Sequence, residues 1–275
     1  MLLNKNDKIT QHYDVIIIGG GLGGLTAANK LARGGRKVLI LESHDKLGGF
    51  ATWFYRKKHI FDVSLHGFPV GMIKTCRKYW NKAIAEKIVQ LKRMRFINPM
   101  YRLEPDYTVE DFTEKLIACF NVSKEQVDNF FSLVMNMNYY DNKAMTNGEL
   151  LESFFPGRKD VHRFLIEPIV YANGSTLEDP AITYGIVFSN FMSKGVYTFQ
   201  GGTDLVIGMM QEELMKNNVD IRLKSNVGKI VVENNVCRGV MLGGEFVSST
   251  SVLSNGNLIG TIFNLTGEDN FKPEF

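Results

Sequence analysis

The residues with the clearest chemical potential are the glycines that follow the first apolar run. Gly19, Gly21 and Gly24 have the spacing G-x-G-x-x-G, and Gly23 lies within it. In a strand–turn–helix unit the first glycine permits a tight turn, the second lets the main chain approach a pyrophosphate, and the third lets the helix pack closely on the strand. The helix start adds unpaired N–H groups and a partial positive charge. This pattern predicts a dinucleotide site.

An acidic residue follows at the distance that such a site requires. Glu42 lies about 20 residues beyond the last glycine, where a carboxylate accepts hydrogen bonds from a ribose 2′-OH and 3′-OH. The same carboxylate would repel a 2′-phosphate, so NADP is disfavoured. We therefore assign Glu42 to cofactor binding, together with its neighbour Ser43.

The surrounding pattern predicts the elements that would position these residues. Apolar runs at Val15–Ile18 and Val38–Leu41 predict two strands, and 25–32 predicts a helix between them that ends at the Gly34-Gly35 turn. Glu42 comes directly after the second strand. The order strand, glycine turn, helix, strand is the first βαβ unit of a dinucleotide-binding fold.

Composition excludes several classes of protein. The chain has 275 residues, 44% hydrophobic and 22% charged, which is typical of a globular protein with a sizeable core. A net charge of +3 is too small to indicate a nucleic-acid partner. The polar first dozen residues predict no secretory signal, and no apolar run is long enough for a spanning helix. Three separated cysteines and unclustered histidines predict a reducing, cytoplasmic setting without a metal site.

A second glycine pair carries a family resemblance. The stretch VIIIGGGLGGLTAA, continuing to LESHDKLGG and ending at Gly48 and Gly49, resembles the flavin-containing amine-oxidoreductase superfamily. It is most similar to the branch of phytoene desaturases, carotenoid isomerases and retinol saturases. The resemblance implies FAD as cofactor and places Gly48 and Gly49 beside its phosphates and ribityl chain. Phe50 stands where the family often has arginine.

Two further segments of the chain resemble parts of the same family. The stretch FDVSLHGF resembles an F-D-x-G segment near the flavin ring, with Ser64 in place of the glycine. His66 and Gly67 are therefore candidates for the flavin wall, with a structural loop role as the alternative. Val227 begins a V-x-x-I segment, whose first residue hydrogen-bonds adenine through its backbone in the family. An ordinary buried strand residue is the alternative there.

The middle of the chain is predicted to be largely helical. Apolar residues recur at helical spacing between Ile73 and Leu91, in a region crowded with lysine and arginine. This segment is either a core-packed helix, the favoured interpretation, or a peripheral membrane contact through residues 73–95. Further helices are predicted at 108–137, capped by Thr108 and Ser123, and at 150–155, 161–171 and 180–192. We expect Pro168 to end or kink the helix at 161–171, and Asp179 or Thr176 to cap the helix at 180–192.

The predicted fold class is α/β, an FAD-type Rossmann domain whose parallel sheet carries added antiparallel strands, plus a largely helical, partial substrate domain. We place the FAD-binding domain at 1–70 and 196–260, the substrate domain at 71–195, and the start of a further substrate-domain segment at 261–275. The resemblance covers only about the first half of a family member. It implies that a C-terminal half or a second chain completes the FAD site, so we expect residues 1–275 alone to bind FAD weakly and to turn over nothing.

The leading functional hypothesis is an FAD-dependent desaturase, saturase or isomerase acting on a long apolar polyene, isoprenoid or lipid-like substrate. No catalytic residue is assigned. Two alternatives remain open: a flavin amine oxidase-like enzyme, and a non-catalytic binding protein similar to Rab GDP-dissociation inhibitors. Glu42 and the glycine spacing argue against the second alternative, because a protein that binds no nucleotide does not need a ribose acceptor.

Overall fold

A computed structural model of the protein describes residues 1–4, 8–137 and 145–271. The chain forms two compact units. The first contains the described residues of Met1–Leu65, Thr75–Lys87 and Gly201–Phe275, and the second contains those of His66–Lys74 and Ile88–Gln200. The predicted domain boundaries themselves remain predictions.

Strands and helices are both spread along the whole described chain. The strands are β1 (Leu2–Leu3), β2 (Tyr13–Ile18), β3 (Val38–Leu41), β4 (Trp53–Arg56), β5 (His59–Asp62), β6 (Phe68–Pro69), β7 (Ile88–Leu91), β8 (Phe96–Ile97), β9 (Arg102–Leu103), β10 (Val196–Phe199), β11 (Asp220–Arg222), β12 (Val227–Glu233), β13 (Val236–Leu242) and β14 (Glu245–Ser254). The α-helices are α1 (Leu22–Arg33), α2 (Gly71–Tyr79), α3 (Lys82–Ala85), α4 (Val109–Ala118), α5 (Lys124–Asn136), α6 (Asn147–Phe154), α7 (Lys159–Asn173), α8 (Ala181–Lys194) and α9 (Gly202–Lys216). A π-helical turn, Gly260–Thr266, and a 3₁₀ turn, Glu268–Asn270, follow β14.

The first unit is built on a seven-stranded sheet with the order β1-β11-β3-β2-β14-β13-β12. Neighbours from β1 to β14 are parallel, and β14-β13-β12 form an antiparallel meander. Asn234 and Asn235 join β12 to β13 with φ of 52° and 60°, as a tight hairpin turn requires. The predicted α/β class, with a parallel sheet extended by antiparallel strands, is confirmed.

Burial explains why the central strands are continuous apolar runs in the sequence. All four residues of β3 are buried, because a parallel strand is covered on both faces by the elements that cross over it. Helix α1 covers the sheet with Leu25 and Ala28, which have no exposed surface. Val227, Val240 and Val247 of the meander share one buried core with Ile16 of β2 and Leu39 of β3.

The second unit is mainly helical, with a core rich in phenylalanine. Helices α4 to α8 surround Phe112, Phe130, Phe164 and Phe188, each without exposed surface. Predicted caps are confirmed: the Thr108 hydroxyl accepts the Asp111 N–H at 3.1 Å, and Ser123 forms a capping box with Gln126.

Two local predictions from the sequence are wrong, and one alternative of a third is excluded. The apolar segment from Ile73 to Leu91 is not one helix, because α2 ends at Tyr79, Asn81 caps the short α3, and Ile88–Leu91 is strand β7, paired with β10. Its apolar positions are nonetheless core residues, since Cys76, Trp80 and Ile84 are at most 2% exposed. The other two corrections concern prolines.

Pro168 does not end α7, since the helix runs on to Asn173. The expected kink at Pro168 stays a prediction. The neighbouring residues Phe164, Leu165 and Ile169 are fully buried, so packing offsets the missing hydrogen bond. The N-cap of α8 is Pro180, without a side-chain hydrogen bond. The Asp179 carboxylate accepts the Thr176 N–H at 2.6 Å instead, which stabilises the preceding loop and lowers the pKa of Asp179.

Candidate nucleotide-binding site

The carboxyl ends of three parallel strands meet at one edge of the sheet. Strands β3, β2 and β14 are neighbours, and each ends in a short loop at this edge. The Gly19 N–H donates to the Leu41 carbonyl at 2.9 Å, and the Asn255 N–H donates to the Ile18 carbonyl at 2.8 Å. In open α/β sheets, ligands bind at this edge, where loops from neighbouring strands converge.

The glycine loop has the close approaches that its spacing predicts. A Cβ on Gly24 would lie 2.1 Å from the Gly19 carbonyl oxygen, so no other residue lets α1 pack this closely. Gly19 has a φ of +97°, which favours glycine at the turn off β2. Gly21 is the N-cap of α1 and provides no side chain to bond the first-turn N–H groups. Those groups remain available to an anion.

Glu42 ties the glycine loop to the end of β3. The residue is 5% exposed. Its Oε2 accepts the Gly20 N–H at 2.6 Å, while Oε1 accepts the His44 N–H at 2.8 Å and the Ser43 hydroxyl at 3.2 Å. A carboxylate has about four acceptor positions, so one remains, and rotation of the Ser43 hydroxyl releases a second. Two acceptor positions are what the 2′-OH and 3′-OH of one ribose require.

A cavity of about 240 Å³ opens beside the Glu42 carboxylate. Its walls include His44, Lys46 and Trp53. The Lys46 ammonium lies 5.3 Å from the centre of the Trp53 ring and donates to the Trp53 carbonyl at 2.9 Å. Glu42 therefore borders both this cavity and the glycine loop.

The second glycine pair packs directly on the first glycine loop. The Gly48 N–H donates to the Gly20 carbonyl at 2.8 Å, and Gly48 forms a parallel bridge with Gly21. A Cβ on Gly49 would lie 2.9 Å from the Gly21 Cα. Both residues have positive φ, 117° and 59°. The two glycine segments thus form one narrow backbone surface.

The remaining sequence-predicted residues lie in two different places. Val227 is buried in β12, and two residues before it the Ser225 N–H donates to the Glu42 carbonyl at 2.8 Å. His66 and Gly67 belong to the second unit, where His66 stacks on Tyr171 with ring centres 4.9 Å apart. The flavin-wall role of His66 and Gly67 stays a prediction, as does the adenine contact of Val227.

The sequence pattern missed one residue of the site, Asn255. Its side-chain Oδ1 lies 2.6 Å from where a Cβ on Gly23 would be, and its Nδ2 lies 3.1 Å from the corresponding point on Gly21. The amide thus covers the glycine loop at the start of α1. Its position directly after β14, at the same strand edge, is the signal that could have identified it.

Several other features of the chain bear on what the site can hold. Phe50, at the family's arginine position, has 82% of its surface exposed.

Among the described residues, no group of three or more His, Cys, Asp or Glu side chains is arranged to hold a metal ion. No helix within the described ranges is long and apolar enough to cross a membrane. Burial raises the pKa of the Cys76 thiol to about 11, so Cys76 is a neutral core residue.

Comparison with known proteins gives sequence relatives over nearly the whole chain. Residues 17–82 match a family model described as an NAD(P)-binding Rossmann-like domain. A chloroplastic prolycopene isomerase from Daucus carota is 22% identical over 96% of this chain and 49% of its own length. A human all-trans-retinol 13,14-reductase is 42% identical, but over 22% of this chain and 10% of its own.

The resemblance to the flavin-containing amine-oxidoreductase superfamily is confirmed. The chain spans about half the length of the first curated relatives it matches. The relatives indicate a flavin cofactor, whereas the family model is described by NAD(P), so the choice of FAD is part of the proposal below.

Several solved structures share the fold of this chain. An oxidoreductase from Methanosarcina mazei has a TM-score of 0.73 at 16% identity, covering 96% of this chain and 63% of its own. Putrescine oxidase has a TM-score of 0.59 and 15% identity, with 88% and 57% of the two chains covered. A Rab GDI from Plasmodium falciparum has a TM-score of 0.55 at 16% identity, and the match covers 92% of this chain and 66% of the Rab GDI chain. These likenesses show the fold and do not choose among the three candidate functions.

Proposed function

We propose that this chain binds the adenosine diphosphate half of FAD and forms part of an oxidoreductase that desaturates, saturates or isomerises a long apolar substrate. The observation that carries the proposal is the geometry of Glu42. Its carboxylate ties down the glycine loop, keeps acceptor positions for a ribose, and borders an open cavity. A ribose and diphosphate at this edge would account for both the glycine spacing and the acid at the strand end.

The residues fit FAD in three respects. Glu42 would hold the adenosine ribose, and the backbone N–H groups in the first turn of α1, after Gly21, would hold the diphosphate. Gly48 and Gly49 leave room for the ribityl chain that follows the diphosphate. When bound, FAD supplies the capacity to accept or return a hydride, and the protein supplies orientation and exclusion of water.

The second unit contains a cavity whose lining is partly apolar and partly charged. It measures about 440 Å³, and its walls include Leu91, Met94, Phe96, Pro168 and Tyr171 together with Arg93, Arg95 and Glu167. Tyr107 also lines it, and burial raises the pKa of Tyr107 to about 12, so the phenol stays protonated as a hydrogen-bond donor. The apolar residues of this lining suit a hydrocarbon chain, whereas its charged residues do not distinguish such a substrate from a small amine. The printed names of relatives, a prolycopene isomerase and a retinol reductase, agree with an apolar substrate.

The experiment that tests the proposal compares substrates on the natural gene product that contains this chain. The purified protein should show a flavin absorbance spectrum, and the flavin band should bleach anaerobically with a polyene or isoprenoid but not with putrescine. Bleaching by the amine alone would favour the amine oxidase-like alternative. A colourless protein that binds a prenylated protein would favour the inhibitor-like alternative.

A further inference from the structure

The hairpin β4–β5 of the first unit carries four exposed large apolar side chains. Phe54 and Phe61 stack on one of its faces with ring centres 5.4 Å apart, and 46% and 45% of their surfaces are exposed. Tyr55 and Ile60 form a pair on the other face and are 66% and 42% exposed. Large apolar side chains on both faces of a two-stranded hairpin are unfavourable in water, since such hairpins are marginally stable alone.

The tip of the same hairpin is strongly basic. Lys57 and Lys58 form the turn between the paired strand ends Arg56 and His59, and all four residues are exposed. None of the three Lys and Arg side chains has an ion-pair partner within the described part of the chain. From Lys46 to Phe61 the sequence contains no acidic residue. The hairpin therefore combines exposed aromatic rings with unneutralised positive charge.

The base of the hairpin is held to the first unit. The Asp62 carboxylate accepts the Thr203 hydroxyl, and the Val63 N–H donates to the Thr52 carbonyl at 2.9 Å. Asp62 is the last residue of β5, and Val63 follows it directly. The hairpin that carries the exposed aromatic residues and the basic tip is therefore held at its base by the hydrogen bond between Asp62 and Thr203.

We propose that the β4–β5 hairpin docks on an anionic lipid surface. Its cations would lie among the lipid phosphates, and its aromatic rings would enter the boundary between headgroups and acyl chains, where such rings are favoured. Lipid is fluid and can surround both faces of the hairpin, whereas a protein partner that covered one face would leave the other in water. The positive charge of the hairpin tip favours a membrane with anionic headgroups over a membrane of neutral lipid. This inference is independent of the proposed function, because it requires neither flavin nor substrate.

The other basic segment is a weaker candidate for the same role. Lys74, Arg77 and Lys78 on α2 are exposed, but Cys76 and Trp80 beside them are buried in the core. That helix offers positive charge without an exposed apolar face. It therefore provides a matched control for the hairpin.

The experiment measures binding to vesicles of phosphatidylcholine with about one third phosphatidylglycerol, and to vesicles of phosphatidylcholine alone. The unmodified chain should float with the anionic vesicles and be released by salt. R56Q/K57Q/K58Q should bind them about 100-fold more weakly, whereas the charge-matched K74Q/R77Q/K78Q should change by less than about tenfold. F54S/F61S should also lose binding, and L258S/I259S, which alters apolar residues that are more exposed still, should retain it.

Brominated acyl chains provide a readout of position. The chain has two tryptophans, and Trp80 is 2% exposed, so quenching on vesicles would report Trp53 at the base of the hairpin. Quenching that disappears in F54S/F61S supports the proposal. The proposal is overturned if the unmodified chain ignores anionic vesicles, if the hairpin variants bind normally, or if the α2 variant loses binding as strongly. It is also overturned if the hairpin variants instead abolish a dimer in gel filtration, because a second copy would then be the occupant.

Discussion

At the scale of single residues, Glu42 has two roles that its position in the sequence predicts only in part. The spacing from the glycines predicts a ribose acceptor. The hydrogen bond from the Gly20 N–H to Oε2, 2.6 Å, adds a structural role in holding the loop that would receive the diphosphate. A substitution therefore affects the ribose contact and the shape of the loop together.

Glu42→Gln should weaken ADP binding about tenfold or more, because a charge-assisted acceptor is replaced by a neutral amide. It should also reduce the ratio of the affinity for ADP to the affinity for 2′-phospho-ADP, because the neutral amide no longer repels the 2′-phosphate. Isothermal titration with both nucleotides measures this. Equal affinities of the unmodified chain for ADP and 2′-phospho-ADP would contradict the role of Glu42.

Asn255→Asp should weaken ADP binding about tenfold, because a carboxylate over the glycine loop repels the diphosphate. Adenosine, which lacks phosphates, should bind the variant as it binds the unmodified chain. Parallel titrations with the two ligands make the comparison, and Asn255→Gln serves as the uncharged control. Equal losses for ADP and adenosine would show that Asn255 acts on folding instead.

Gly24→Ala should destabilise the fold by about 1–3 kcal/mol, since its Cβ would lie 2.1 Å from the Gly19 carbonyl oxygen. Gly208→Ala is the matched control, because that position lies within α9 and has open space around it. It should stabilise the protein by about 0.5–1 kcal/mol. Urea unfolding of both variants tests the difference, and a neutral Gly24→Ala would refute the close packing of α1.

The local motif made the glycines and Glu42 predictable, because strand, turn, helix and strand follow one another along the chain. Asn255 was not predictable in the same way. It reaches the glycine loop only because β14 pairs with β2, a contact between opposite ends of the described chain. Side chains brought together by sheet order leave no local pattern.

At the scale of elements, the capping signals identified α4 and α5 correctly, but periodicity misread the segment from Ile73 to Leu91. The apolar spacing there fits a helix, yet Ile88–Leu91 pairs with β10 as a strand. Tertiary pairing overrides local periodicity in short apolar runs. Asn81, a strong N-cap residue in the middle of the segment, was the local signal of a new helix start.

Asn81→Ala should cost about 1–2 kcal/mol of stability. It removes the acceptor of the Ile84 N–H, at 2.9 Å, and the amide that donates to Glu213 at 3.0 Å. Ser123→Ala, which removes the side-chain cap of α5, should cost about 1 kcal/mol. Thermal unfolding of the two variants compares them, and a smaller loss for Asn81→Ala than for Ser123→Ala would contradict this account.

At the scale of the molecule, the chain provides candidate phosphate-binding and ribose-binding elements within one unit, and a cavity of apolar and charged residues within the other. The fold class could be inferred from the alternation of strands and helices. The exposed aromatic hairpin could not, because periodicity does not say which apolar residues remain uncovered. The chain spans about half the length of the first curated relatives it matches. Weak FAD binding and no turnover by residues 1–275 alone stay predictions from the family resemblance.

The most direct test of the central claim is a fluorescence titration of FAD with residues 1–275, followed by competition. The account predicts saturable quenching that ADP reverses and FMN does not, with the complex too weak to retain stoichiometric FAD through gel filtration at micromolar protein. Displacement by FMN but not by ADP would show that the glycine loop and Glu42 do not hold an adenosine diphosphate.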